Sequence, residues 1–231
     1  VGSRYLKKTS DYKGYVYNLE TTLSYYIANG IATHNCECTW VLKTKPRRRR
    51  RTVEDKIQAD YADMVKFTNK TGKEIGGWYD ASGKRLIYKK GTKNHISLTQ
   101  VEDYELRFQA YNNPRTVVAT HTHPYPEPLP FSGDDLAHSA YYKLKESRVL
   151  TNKGTFVIKP KGENWPSHES LKIVYKKYKK EFRRKIYDNS EIFNKLGIHK
   201  AWAKTIDETI KAVARDFDLD YKFIPYKGGK P

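Results

Sequence analysis

Apolar positions in this chain repeat in two rhythms, one of period two and one close to 3.6, and together they predict an alternation of strands and helices. Residues 115–120 form a β-branched, apolar run of the kind that makes a buried strand. Two hairpins are predicted, one from residues 73–79 and 84–88 around the Asp80–Gly83 loop, the other from residues 148–151 and 154–159 around residues 152–154. Residues 219–225 read as an edge strand, and residues 14–20 and 25–30 as strands leading to an Asn29-Gly30 turn. Helical spacing links Val53, Ile57, Tyr61, Met64 and Val65 into one helix. A second helix starts at Ser97 or Thr99, with Val101, Tyr104, Phe108 and Tyr111 as its buried stripe. A third follows Ser132, carrying Leu136, Ala137, Ala140, Tyr141 and Leu144. Two long amphipathic helices come next, one with Leu171, Val174, Tyr175, Tyr178, Phe182 and Ile186, the other with Trp202, Ile206, Ile210, Val213 and Phe217. The class is α/β in the broad sense, with strands and helices mixed along the chain (α+β).

The chemistry concentrates at the end of the 115–120 strand. If the strand runs on through His121 and His123, their spacing of two puts both imidazoles on one face. Pro124 has no amide hydrogen and ends it. After a loop with Pro126, Pro128 and Pro130, Ser132-x-x-Asp135 opens a helix and sets a carboxylate in its first turn. Two imidazoles, one carboxylate and an open position are the donor set of a catalytic zinc site. Taken alone, Ser132-x-x-Asp135 is also a capping box variant, and a His-x-His pair is commonly an ordinary hydrogen-bonded one.

In this order the residues resemble the signature of the JAMM (MPN-type) metalloproteases: an upstream glutamate, His-x-His-Pro, then Ser-x-x-Asp. The resemblance implies a JAMM/cytidine-deaminase-like central mixed sheet flanked by helices, here with a C-terminal helical extension. It implies Zn2+ held by His121, His123 and Asp135, with hydrolysis of peptide or isopeptide bonds in a protein substrate, ubiquitin-like or phage-derived. Glu74, 47 positions before His121, is the matching general base, with Glu102 and Glu105 as rivals on a helix. Ser132 would help stabilise the oxyanion. His95, His138, His168 and His199 show no ligand spacing, although His138 falls near the site.

The first forty residues carry other motifs. A strand, the Asn29-Gly30 turn and then His34-Asn35-Cys36 resemble the C-terminal end of an intein or Hint domain. That resemblance implies autoprocessing, with cyclisation of Asn35, His34 as proton donor and the Cys36 thiol as acceptor. The family's further histidine before the turn is replaced by Ser24 or its neighbours, and the first half is absent, so splicing by this chain alone is not expected. Residues 35–41, with Cys36 and Cys38, resemble the closing motif of Mu F-type phage head morphogenesis proteins. The expected organisation is an intein-like segment and minor head protein tail over 1–44, a basic linker and helix over 45–66, and a JAMM-like domain over 67–231.

Charge adds less. A net +18, with 44 Lys+Arg against 26 Asp+Glu, suits acidic partners, and the Arg47–Arg51 run reads as a solvated linker. Nucleic acid is therefore a non-specific partner at most, alongside capsid or portal proteins. Two cysteines exclude a disulfide framework, and no run approaches the ~18 apolar residues of a membrane span. No signal peptide is read at the start. A phage virion or bacterial cytoplasm is expected. The competing reading is a structural phage module with an inactive site and an autoprocessing end at Asn35-Cys36.

Overall fold

The computed structural model describes residues 52–226. The intein-like residues His34, Asn35 and Cys36, the Cys38 motif and the arginine run lie outside the described residues. The described residues all lie in one compact unit.

Six strands make a single mixed sheet. They are β1 (Ile75–Tyr79), β2 (Arg85–Lys90), β3 (Val118–Thr122), β4 (Glu146–Leu150), β5 (Gly154–Pro160) and β6 (Leu219–Pro225), in the order β2-β1-β3-β4-β5-β6. Only β3 and β4 pair in parallel, joined by a crossover through the helix after Ser132; every other pair is antiparallel. The helices are α1 (Val53–Gln58), α2 (Tyr61–Thr71), α3 (Gln100–Asn112), α4 (Gly133–Tyr141), α5 (His168–Phe182) and α6 (Ser190–Asp216). A π-helical turn, Arg183–Tyr187, joins α5 towards α6, and Gly197 (φ 74°) kinks α6. The mixed α/β class follows the apolar rhythm of the chain.

Strand alternation divides the core between the two faces of the sheet. Val118 and Leu150 face α1 and α2, packing with Ile57, Tyr61, Met64, Val65, Ile75 and Tyr79. Val149, Phe156 and Ile158 face the opposite way, against α4, α5 and α6. Residues 53–66 are thus built into the sheet's packing, and among the described residues no helix is long and apolar enough to cross a membrane.

Two helical expectations need correction. The single helix over 53–65 is broken at Ala59–Asp60 and the second half runs on to Thr71. Asp60 stands just before the second helix with backbone angles still in the helical region, and its carboxylate accepts from the Tyr79 phenol (2.8 Å) and pairs with Arg85. The larger correction concerns α3. Its expected buried stripe points outward, with Val101, Tyr104, Phe108 and Tyr111 all more than half exposed, while Leu106 and Ala110 are buried. Polar contacts set that rotation. Thr99 and Glu102 form a capping box, Glu102 also pairs with Lys89 on β2, and Asp103 accepts from the Tyr142 phenol at 2.6 Å. Those three contacts turn the Leu106 side of the helix inward.

Candidate metal centre

Both histidines are placed by the end of β3. Thr122, between them, points to the opposite face, where its hydroxyl meets Thr68 of α2 at 2.6 Å and accepts from the Ile75 amide at 3.0 Å. With Thr122 so anchored, period two sends His121 and His123 to the other face. The strand as paired ends at Thr122, so His123 sits one residue beyond it.

The carboxylate comes from α4. Phe131 and Leu136, both fully buried, straddle the helix start as a hydrophobic staple and fix its entry. Ser132 is the cap: its hydroxyl accepts from the Asp135 amide at 3.1 Å, and its own amide donates to Asp135 Oδ2 at 2.6 Å. Gly133 follows, and a β-carbon there would stand 2.7 Å from the Tyr175 ring of α5. The first turn of α4 is therefore held from inside by its capping box and from outside by an aromatic ring.

These elements bring the three predicted ligands together. His121 Nε2 lies 3.1 Å from His123 Nε2 and 3.3 Å from Asp135 Oδ1, and His123 Nε2 lies 3.5 Å from Asp135 Oδ2. The set can hold a metal ion. With one donor atom taken from each residue, all three lie within 4.8 Å of one another, close enough to share one ion whose donor bonds are roughly 2.0–2.2 Å. The tautomer agrees. His123 Nδ1 lies 3.1 Å from the Leu129 carbonyl, which only accepts, so Nδ1 carries the proton and Nε2 presents its lone pair. The chemistry of the donor set thus fits a divalent ion such as zinc.

Electrostatics point the same way. Burial alone would raise the pKa of Asp135, but the two imidazoles overcome it and hold the carboxyl well below its ordinary range. Burial works against charging His121, and Asp135 more than offsets it, so that pKa is raised. Cationic charge is favoured here even before an ion is considered.

Glu74, Ser132 and His138 line the same cleft as the three ligands, a cavity of about 640 Å³. Glu74 is 9% exposed, and its backbone extends the β1–β2 ladder through Gly91 and Thr92. Burial raises its pKa, against the lowering pull of His121 and His123. The rival Glu102 is committed to the α3 cap and Lys89, away from the ligands. Among the described residues, His95, His138, His168 and His199 add nothing to the metal-holding group. The sequence reading missed the Leu129 carbonyl, a backbone partner with no residue signature, and the cleft walls at Trp78 of β1 and Tyr142 at the end of α4, which tertiary packing brings to the cleft.

Replacing Asp135 separates its two roles. Asp135→Asn keeps an acceptor for the Ser132 amide and removes the negative charge, so zinc affinity is expected to fall more than about 100-fold with melting little changed. Asp135→Ala is expected to lose about 1 kcal/mol of stability as well. Competition with a chromophoric chelator and thermal melts in chelator read the two effects. An Asn variant that binds zinc like the parent would remove Asp135 from the ligand set. No protein-family model matches the chain, and a search of curated proteins finds no match either.

Proposed function

We propose that the described unit, residues 52–226, is a zinc-dependent hydrolase of peptide or isopeptide bonds, of the JAMM type, serving as a module of a phage-type head protein or toxin. The observation that carries this is the convergence of His121, His123 and Asp135 within reach of one ion, at a cleft shared with the buried Glu74 carboxyl. Three protein donors leave one position open, the arrangement of catalytic rather than structural zinc sites.

Zinc held there would supply Lewis acidity and would lower the pKa of water toward ~7. Every other part falls to the chain. Glu74 takes a proton from the attacking water, whose oxygen becomes bonded to the carbonyl carbon. The carbon–nitrogen bond then breaks, and Glu74 passes the proton to the departing amine, so that one acid and one amine are formed. Ser132 has a hydroxyl hydrogen to spare, because capping uses only an oxygen lone pair. It donates to the developing oxyanion, a contact typically worth ~3 kcal/mol. Capping and oxyanion stabilisation therefore do not compete.

The test uses the full chain, purified and dialysed, then assayed on peptide and isopeptide-linked substrates. About one zinc per chain is expected, with hydrolysis lost to chelator and restored by zinc. A chain that retains no divalent ion and cleaves nothing with zinc added would overturn the proposal.

A further inference from the structure

The basic charge of the described residues is concentrated in one place. Residues 168–187, which are α5 and the π-helical turn after it, hold eight Lys and Arg against Glu169 and Glu181, a net +6. The other described residues hold 23 Lys and Arg against 21 acids, a net of only +2. A surface kept soluble by scattered lysines intersperses its charges; here they are gathered on a single rod.

α5 has two sides. Leu171 and Tyr175 are buried, and Val174 and Tyr178 pack against the same core as Ile206, Ile210 and Val213 of α6. On the outward side Lys172, Lys176 and Lys180 recur every fourth residue, with Lys177 beside them and Arg183 and Arg184 continuing into the turn. All six are exposed. Asp134 reaches Lys172 at 3.2 Å and Asp188 reaches Arg183 at 3.4 Å. Among the described residues, Lys176, Lys177, Lys180 and Arg184 have no carboxylate partner. Like charges at i, i+4 repel one another, so the ridge gains when a polyanion faces it.

The chemistry discriminates among polyanions. From Lys172 to Arg184 the ridge runs about 18 Å at 1.5 Å per residue. Duplex DNA carries one negative charge per roughly 1.7 Å of its axis, so about ten phosphates lie within that length. Ile173 is the large apolar side chain exposed on this ridge, so no ring is presented on which a single-stranded base could stack. A membrane-surface helix enters the bilayer by its apolar face, and that of α5 is already packed into the core.

We infer that the exposed face of α5 and its π-helical turn binds the phosphate backbone of double-stranded nucleic acid, without regard to sequence. The binding needs no metal and stands apart from the hydrolase reading.

The test titrates the full chain, in chelator, into two fluorescent DNA duplexes of equal length and unrelated sequence, from about 50 to about 200 mM salt. A single strand of the same length and phosphatidylserine vesicles are run alongside. Both duplexes are expected to bind alike and tighter than strand or vesicles, with affinity falling at least about 100-fold across that range. Lys176→Gln, Lys177→Gln, Lys180→Gln and Arg184→Gln together are expected to lower the slope of log affinity against log salt by about four. The first and third alone lower it by about two. Gln has nearly the helix propensity of Lys and Arg, so the fold is retained. A charge-matched control with four exposed lysines elsewhere changed (Lys66→Gln, Lys70→Gln, Lys84→Gln and Lys222→Gln) is expected to keep the parent slope. Absence of duplex binding by the parent overturns the inference, as does an equal loss in control and ridge variants. A ridge variant that keeps the parent slope assigns the binding to another basic stretch and overturns it too. So does tighter binding to the vesicles or to the single strand.

Discussion

Glu74→Gln is expected to leave about one zinc per chain and to reduce hydrolysis roughly 10²–10⁴-fold. The amide is nearly the same size as the carboxyl, so a group only 9% exposed is replaced without opening a void. The metal donors are untouched, since they come from β3 and α4 while Glu74 stands at the entry to β1. What changes is proton affinity. A carboxylate whose pKa is raised by burial is a stronger base than an exposed one, and an amide is no base at all. Measured zinc content together with turnover separates this from ligand loss. A Gln variant with full turnover would remove Glu74 from the chemistry and send attention to His138, another titratable residue lining the cleft.

Arg148→Ala is expected to cost about 3–5 kcal/mol in urea unfolding. Arg148 is 9% exposed and sits on the α1–α2 face of β4. Its guanidinium grips both Glu54 oxygens (2.7 and 2.9 Å), pairs with Glu146 and donates to the buried Tyr61 phenol. Removing it strands Glu146, whose side chain is only 15% exposed, and leaves the phenol without its donor. The Glu54 contact adds little, being nearly half exposed and screened. Burial opposes ionisation of Glu54 and Arg148 overcomes it, so its pKa is lowered. That share of stability is present above the ordinary carboxylate range and fades as pH falls through the depressed value. The double variant Arg148→Met, Glu146→Met is expected to recover most of the loss, since it leaves no orphaned charge. A single variant within about 1 kcal/mol of the parent would show the network to be ornamental.

The two parts of the site differ in how far they could be read from residues alone. The His121–His123 spacing and the Ser132 cap are local: period two and an i, i+3 hydrogen bond need no tertiary information. The Leu129 carbonyl and the Trp78 cleft wall depend on chain folding and sheet register, which spacing does not encode. The α3 stripe fails for a related reason. Periodicity finds Val101, Tyr104, Phe108 and Tyr111, but the helix has a second inward candidate in Leu106 and Ala110, and distant partners at Lys89 and Tyr142 decide between them. Likewise the partners that hold Asp60 at the break, Tyr79 and Arg85, lie 19 and 25 residues along the chain.

The seat of the Tyr175 ring against Gly133 makes the C-terminal helices more than an appendage. Tyr175 is buried in the same core as Ile206, Ile210 and Val213, so α6 backs the ring that backs the turn bearing Asp135. Truncating the chain ahead of α5 would leave all three donors in the polypeptide and still remove the buttress that keeps one of them aimed. A minimal fragment designed around the His-x-His-Pro and Ser-x-x-Asp motifs alone should therefore bind zinc loosely, whatever its sequence identity to the parent.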